Sequence, residues 1–520
     1  MTNQNESKDY LVIYAELLAF AVGLTILTSI HYLTEMVMLT NPGLVFDDSY
    51  IHLQYAKSIF EGHPWQYNIG EPSTGSTSPL WAIVLVPSFL LGNYSAIVWG
   101  VLYTAVLFYT LCTFLVGYIG YTYTDSKILS ILTMSAFIFV PRNSMLMLSG
   151  METPIFMFCI LLSIALLDKT DPKYDPLIGI AAGLVYLARP EGVLVAAILV
   201  PARFVILLKK RKINRNRIIP IILMFAWMAL IAGLWVAYCL NSTGHPLPAT
   251  FYSKVGSFGP DAITVWNNHW GRWLVEYPYL PIGFIAGFFL VLVGKPYQWL
   301  LVISLTILYA NTLPYLSLIN NSRYLVPVFD LLIICAVLSI SMISMKLFTH
   351  QNKVKPEEIK EYANKTYRII VVLLLVFVIF TAAYPKYLEQ GDYFAREVID
   401  TNCRQIIIGK WIKENTPEDA VIAIHDAGAI KLFSDRRIID MAGLVTPDIT
   451  FGNFTRKEKL SYLRSQGCEY FAYFNRIFNT WTSYLKGAYT VVFSLHCSYA
   501  VLQGNANMSV YWINWSLTSY

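Results

Sequence analysis

Two acidic residues in succession, Asp47 and Asp48, open the segment FDDSYIHLQYAKSIFEGHPWQYNIGEPSTGSTSPLW, residues 46–81. Adjacent carboxylates repel each other unless a cation, a basic side chain or a shared proton relieves them. A site that takes up a proton, or one that holds a divalent cation such as Mg or Mn, can use that arrangement. The alternative is that Asp47 caps a helix starting at Ser49, a common use of Asp. His52 and His63 are the only imidazoles of the segment. They could join the carboxylates on a metal, but their spacing matches no specific site and surface histidine is the plainer reading. A third carboxylate, Glu152, follows Ser149-Gly150 at the start of an apolar run. It either faces the same cavity or complements the dipole at a helix N-terminus.

The surrounding elements must hold these groups at a membrane surface. Tyr50, Leu53, Ala56, Lys57 and Phe60 recur at helical spacing, which predicts an amphipathic interfacial helix. EGHPW and the hydroxyl-rich stretch 70–78 then predict tight turns. The chain as a whole is 56 % hydrophobic and only 14 % charged over 520 residues. That composition excludes a single soluble globule or a disordered chain. A net charge of +5 is too small and too dispersed for a nucleic-acid partner. An α-helical polytopic membrane protein, with the lipid bilayer as its partner, is what remains.

About 20 apolar residues make a span. The runs 11–34, 95–120, 127–141, 152–168, 176–189, 191–208, 217–240, 278–294, 298–316, 324–345 and 367–386 supply 11 candidates. Residues 203–217 hold seven Lys and Arg and residues 346–368 hold six, so both belong on the cytoplasmic side. Working back from them puts residues 35–94 outside only if the Pro87-broken run 78–91 lies in or dips into the outer interface. The N-terminus is then cytoplasmic, and everything after 386 is extracytoplasmic. Short cytoplasmic segments carry 18 Lys and Arg, against six in short external ones: Lys57, Arg142, Arg189, Lys254, Arg272 and Arg323.

Residues 1–386 therefore form a transmembrane module with its first external loop at 35–94, and 387–520 a soluble domain. The helix-like stretch ending IGKWIKENTPEDA, followed by the β-runs AVIAIHDAG and RRIID, predicts a small α/β fold there. His425 and Asp426 would sit at a strand end, suited to acceptor binding or docking. Cys112, Cys159, Cys239 and Cys335 lie in apolar runs as small hydrophobes. Of Cys403, Cys468 and Cys497 in the tail, one pair could bridge and one would be left over.

The pattern Asp-Asp-x-Tyr-Ile-x-x-x-Tyr-Ala from Asp47, with the later Asn-x-Gly-Glu and Gly-x-Thr-Ser-x-Leu-Trp elements, resembles the first external loop of GT-C superfamily glycosyltransferases. It is most similar to mycobacterial-type arabinofuranosyltransferases and relatives of unknown substrate. The likeness continues through SGMETP at 149–154, LARPEG at 187–192, LPATFYSK at 247–254 and RYLVP at 323–327. It reaches the tail through GKW at 409–411 and DMAGL at 440–444, and departs at Ser76, where relatives usually place Tyr.

This resemblance implies a GT-C fold in the plasma membrane that transfers a sugar from a polyprenyl-phosphate donor to an external glycan, lipid or protein. Such transfer must deprotonate an acceptor hydroxyl, stabilise a leaving phosphate and orient the sugar. The resemblance points to Asp47 or Asp48 as general base, with Asp47 preferred, and to Glu152 facing the same cavity. The second carboxylate would position the acceptor or share a divalent ion with its neighbour. Direct displacement would invert the anomeric carbon. Arg323, Lys254 and then Arg189 are the candidates for donor phosphate. Tyr50, His52, Thr77, Glu191 and Tyr324 are put forward as substrate contacts. Local pairing competes for two of the arginines: Arg189 with Glu191, and Arg323 with Asp330 seven residues on. Trp65, Tyr67 and Trp81 either stack on sugar or anchor at the interface. Two other readings stay open. One is a noncatalytic GT-C-like assembly subunit; the other is a lipid or sugar transporter, which predicts paired repeats and mid-membrane charges.

Overall fold

The computed structural model describes residues 2–167, 169–255, 384–498 and 507–518, and the positions 323, 326, 327, 330, 331, 333–335, 337 and 338. The predicted spans at 278–294 and 298–316 lie outside the described residues, as do most of 324–345 and 367–386, and so does Tyr324.

The first seven predicted spans are all helices. They are α1 (Thr2–Leu39), α4 (Tyr94–Thr124), α5 (Lys127–Ile138), α7 (Thr153–Leu167), α8 (Tyr174–Ala188), α9 (Gly192–Lys209) and α10 (Ile218–Thr243). In α1, α4 and α10 the apolar stretch alone is long enough to cross a bilayer. Between α1 and α4 lie the first-loop helix α2 (Asp47–Phe60) and the short α3 (Pro79–Leu85). A 3₁₀ turn over Val86–Leu91, with Pro87 near its start, continues α3. Standard rises give the pair a length of about 22 Å, short of the roughly 30 Å hydrocarbon core. The Ser78 hydroxyl caps α3 by accepting from the Trp81 amide, and Pro79 suits the first helical position. A short α6 (Pro141–Met147) separates α5 from α7.

Helices α8 and α10 touch along their backbones. A Cβ on Gly179 would lie 2.0 Å from the Met224 carbonyl oxygen, so only glycine permits the approach. At one end of this pair a single carboxylate holds two guanidinium groups. Asp175 accepts from Arg203 Nε at 2.9 Å and Nη2 at 2.7 Å, and from Arg217 Nε at 2.7 Å. The remaining donors reach main chain: Arg203 Nη1 the Leu167 carbonyl, and Arg217 Nη1 that of Thr170. All three side chains are buried. Two of the seven basic residues counted as an inside signal are thus a staple across α8, α9 and the start of α10.

The tail begins with α12 (Tyr384–Thr401), which packs on α1 and α6 and runs unbroken across the predicted boundary at 386. A π-type turn over Asn402–Ile406 leads into α13 (Ile407–Asn415). Next come β3 (Val421–Ile424), α14 (Gly428–Ser434), β4 (Arg437–Asp440), α15 (Pro447–Phe451), α16 (Arg456–Ser465), β5 (Cys468–Phe474), α17 (Asn475–Leu485), β6 (Tyr489–His496) and β7 (Asn507–Ile513). A short antiparallel ribbon, β1 (Gln66–Asn68) with β2 (Glu71–Pro72), sits in the first loop. The tail sheet has the order β4-β3-β5-β7-β6; β4, β3 and β5 are parallel, and β7 and β6 are antiparallel additions.

One face of that sheet is covered within the tail, by Leu460, Leu463, Phe478, Trp481 and Leu485 of α16 and α17. The other is not self-contained. Ile422, Ile424, Ile430 and Val510 share one apolar cluster with Ile51 and Tyr55 of α2, Tyr67 of β1 and Ala82 of α3. Cys403 and Cys497 form a disulfide that ties the turn before α13 to the end of β6; Cys468 is the buried leftover.

Replacing Asp175 by Ala leaves two buried guanidinium groups without their carboxylate. We expect a loss of about 3–5 kcal/mol of stability, read as a lower unfolding temperature of the purified protein in detergent. Asp171→Ala on the exposed loop beside it should be near neutral.

Candidate functional site

The site forms where the first loop meets the tail. Helix α2 starts at Asp47 itself, with Phe46 as an N-cap that makes no side-chain bond. Asp47 does not cap its own helix. Its Oδ2 accepts from the Gly428 amide at 2.7 Å and its Oδ1 from the Ala429 amide at 2.8 Å, so it caps α14 of the tail instead. A Cβ on Gly428 would lie 1.9 Å from the Asp47 carbonyl oxygen; glycine is what lets the two helix starts meet. Burial raises the Asp47 carboxyl well above its usual range. The Asp426 charge adds to this, against the two amide bonds, and Asp48 adds a smaller push.

Asp48 turns the other way. Arg323 Nη2 donates to its Oδ2 at 2.5 Å, and Lys254 Nζ lies 3.9 Å from the same oxygen. Burial would raise this carboxyl, but Arg323 and Lys254 outweigh it and hold it at about 2. The expected Arg323–Asp330 pair is not formed. Helix-face spacing brought those two together on paper, whereas the structure places Arg323 over the Phe46 ring with Asp48. Asp330 is buried, and its two oxygens make no hydrogen bond among the described residues.

Behind Asp48 lies a second charged set. His52 Nε2 lies 3.0 Å from Glu152 Oε2, and Arg189 Nη1 lies 3.5 Å from Glu152 Oε1. Arg189 also reaches both Glu191 oxygens at 3.4 Å and stacks on Phe156. Accessibility separates the two sets. The side chains of Asp48 and Lys254 are 24 % and 21 % exposed, against 2–3 % for His52, Glu152, Arg189 and Arg323. A ligand would meet Asp48 and Lys254 first.

First-loop bonds fix this geometry. Ser49 Oγ and the Val45 amide both donate to the Ser149 carbonyl, and Trp81 Nε1 donates to that of Gly150 at 2.9 Å. Trp81 is fully buried, so it neither stacks on a ligand nor anchors at an interface. Tyr50 is likewise a wall residue: its hydroxyl accepts from the Leu44 amide at 2.9 Å and pairs with the Tyr94 hydroxyl at 3.0 Å. His52 faces Glu152 from a buried position, away from any open surface. Thr77 is half-buried beside Ser76 and Ser78. Tyr67 donates to the Ala427 carbonyl at 2.7 Å, and the Trp65 ring packs on Trp235.

The paired-carboxylate metal site does not fit this donor set. Asp47 is occupied by two amides and Asp48 by two cations. Among the described residues, the group of His, Cys, Asp or Glu side chains close enough to share an ion is Asp400, Cys403 and Cys497, and its two cysteines are a disulfide.

Tail residues complete the site. Asp440 ends β4 and accepts from the amides of Ala442, Leu444 and Val445 at 2.8, 2.6 and 3.2 Å. The loop it shapes meets the first loop, where Ser73 Oγ donates to the Val445 carbonyl at 2.8 Å. It also meets α11 (Ala249–Val255), where Ser253 Oγ donates to the Ala442 carbonyl at 2.6 Å. Burial lifts Asp440 to about 6 despite the three amides. His425 Nδ1 lies 3.1 Å from Asp426 Oδ1, while Gln405 Nε2 donates to Asp426 Oδ2 at 2.8 Å. Burial lowers the His425 imidazole, but Asp426, Asp440 and Asp47 together raise it. The anchoring roles of Asp440 and Gln405 were not foreseen. For Asp440 the available signal was an acidic residue closing a β-run shortly before a glycine, as Asp426 does; Gln405 carried none.

Solved structures with the same architecture span nearly the whole chain. ArnT from Cupriavidus metallidurans bound to undecaprenyl phosphate aligns over 96 % of this chain and 99 % of that one, at 12 % identity and a TM-score of 0.54. Its apo form gives 13 % identity and 0.56 over 99 % and 100 %. The chain has the GT-C fold. An oligosaccharyltransferase from Archaeoglobus fulgidus, in complex with Zn and sulfate, aligns over 91 % of this chain and 72 % of that one, at 13 % identity and 0.57. The arabinosyltransferase EmbB from Mycobacterium smegmatis superposes more loosely, at 11 % identity and 0.40 over 73 % and 40 %. Residues 396–511 match a family model described as a domain of unknown function, DUF8728. No curated protein sequence matches the chain. That domain of unknown function contains α14, the helix that Asp47 caps.

A methyl group at Gly428 is expected to prise the tail from the first loop. Gly428→Ala should cost about 1–3 kcal/mol and expose residues 420–445 to limited proteolysis, while Gly233→Ala, with open space around it in α10, leaves the proteolytic pattern unchanged.

Proposed function

We propose that the protein is a membrane glycosyltransferase that transfers a sugar from a polyprenyl-phosphate donor to an extracytoplasmic acceptor. The observation that carries this reading is the division of labour between neighbouring carboxylates. The raised pKa of Asp47 makes its carboxylate a stronger proton acceptor than an ordinary aspartate. Asp48, one residue on, tethers Arg323 and Lys254 at the accessible edge of a buried charged set. The GT-C fold and the undecaprenyl phosphate bound by ArnT support a lipid-linked donor. The Cys403–Cys497 disulfide supports an oxidising compartment for the tail, hence a cytoplasmic N-terminus and an outward-facing site in the cell membrane.

In this reading Asp47 removes the acceptor hydroxyl proton. The acceptor oxygen attacks the anomeric carbon as its bond to the phosphate oxygen breaks, inverting the centre in one displacement. Arg323 and Lys254 take up the charge of the departing polyprenyl phosphate. Arg189 and His52 keep Glu152 ionised and fixed behind them. A second reading, a noncatalytic assembly subunit, draws support from the two amides on Asp47, which give that carboxylate a structural task.

The two readings differ in a measurable way. Asp47→Asn retains one acceptor oxygen for α14, and should lower transfer from a polyprenyl-phosphate sugar by about 10²–10⁴-fold while binding polyprenyl phosphate normally. Arg323→Gln should weaken polyprenyl-phosphate binding by about 10- to 100-fold, the worth of a hydrogen bond to a charged group. Unchanged transfer by Asp47→Asn would remove it as the base.

The base reading also fixes a pH dependence. Asp47 must be ionised, so the rate falls as pH drops through its raised pKa. The Asp426 charge helps raise that pKa. Asp426→Asn is expected to move the acid limb of the rate profile to lower pH.

A further inference from the structure

A cleft of about 510 Å³ opens between the C-terminal end of α10 and helices α15 and α16 of the tail, apart from the charged set. Ser242 and Thr243 line one side; Asp448, Phe451, Phe454 and Tyr462 line the other. We propose that it binds a neutral saccharide, the acceptor chain of the transfer reaction.

Its chemistry favours that class. Phe454 and Tyr462 stack at 5.4 Å and 28°, and Phe451 is held against His245 at 4.0 Å and 10° with Tyr252 on its edge. These half-buried rings are fixed by their neighbours and present flat apolar surface. The C–H face of a sugar ring stacks on such a surface, while its hydroxyls need acceptors and donors at the rim. Asp448 supplies the acceptor: Tyr462 donates to its Oδ2 at 2.8 Å, which orients the carboxylate and leaves Oδ1 turned to other partners. Ser242 and Thr243 line the opposite side, and the Thr243 hydroxyl, donating to the Cys239 carbonyl at 2.9 Å, keeps its lone pairs for a sugar hydroxyl. Among the described residues the lining is aromatic, hydroxyl and carboxylate rather than cationic, a better match to a neutral saccharide than to a phosphate. The volume falls within the range of small-ligand sites, and aromatic walls with a few polar groups are their usual lining.

The cleft also leads to the charged set. Three successive residues of α11 touch the cleft wall, the Asp440 loop and the carboxylate pair. Tyr252 packs on Phe451, Ser253 donates to the Ala442 carbonyl, and Lys254 approaches Asp48. A saccharide lying on Phe451 therefore has its next units directed along α11 toward Asp47 and Asp48. The role as acceptor rests on the glycosyltransferase reading; the binding itself does not.

The test uses the full chain in lipid nanodiscs on an array of neutral pentose and hexose oligosaccharides, with an array of unmodified peptides beside it. We expect retention on oligosaccharides, weakened roughly tenfold or more by Phe451→Ala and by Asp448→Asn. Tyr462→Phe, which keeps the ring and loses the hydroxyl that orients Asp448, should give a smaller loss, and each variant is checked for an unchanged unfolding temperature. Binding is read on the parent protein with no sugar donor present, so it is scored even if the transfer reading fails. Retention on peptides instead, no retention on oligosaccharides, or retention that survives Phe451→Ala combined with Asp448→Asn would overturn the proposal.

Discussion

One carboxylate holds the molecule's two halves in register. Asp47 stands at the start of its own helix and accepts both leading amides of another, 381 and 382 residues further along the chain. The first amides of a helix have no intrahelical partner and carry the positive end of its dipole. Each start therefore meets the need of the other side: α14 gains a cap, and Asp47 gains donors in a buried place. Everything near it inherits that geometry. Tyr67 reaches the Ala427 carbonyl, one residue before α14, and the loop shaped by Asp440 rests on the hydroxyls that follow β2.

In the charged set beside Asp47 each carboxylate has its cations. Asp48 answers Arg323 and Lys254, while Glu152 answers His52 and Arg189. Losing one member of such a set exposes the others to the full cost of desolvation, so the set behaves as a unit. Its accessible members are those that face away from the bundle. On the proposed reading a phosphate would share Arg323 and Lys254 with Asp48, and the resting ion pairs keep both cations placed before it arrives.

Much of this was legible from the residues alone. The apolar runs gave seven helices where the structure describes them, and periodicity placed α2 within a few residues of its true start. The matched blocks at 149–154, 187–192, 247–254 and 323 do lie around Asp47 and Asp48. Reasoning along one element failed where the partner came from another. Arg323 was set against Asp330 because both share a helix face, yet its carboxylate is 275 residues away. For Asp47 the residues offered a choice between a functional carboxylate and a cap of the helix from Ser49, and nothing local advertises the amides of Gly428 and Ala429 that it does cap. Tyr50 is put forward as a substrate contact and Trp81 as either stacking on sugar or anchoring at the interface; here the Tyr50 hydroxyl meets the Leu44 amide and the Trp81 indole the Gly150 carbonyl. A spacing rule sees neighbours in sequence, whereas these contacts are set by how the tail closes.

The sheet that closes on the first loop has one further result. Ile51, Tyr55 and Tyr67 belong to the same apolar cluster as Met508 and Val510. The loop leaves the ribosome early and its packing partners leave last. Contacts of such sequence separation form late, after the loop-closure entropy between them has been overcome. Until β7 is in place, α2 lacks part of its core and its carboxylates lack their fixed surroundings. The order of synthesis thus works as a timer: a chain interrupted before β7 carries every membrane helix of the first half while the apolar cluster behind α2 is still incomplete.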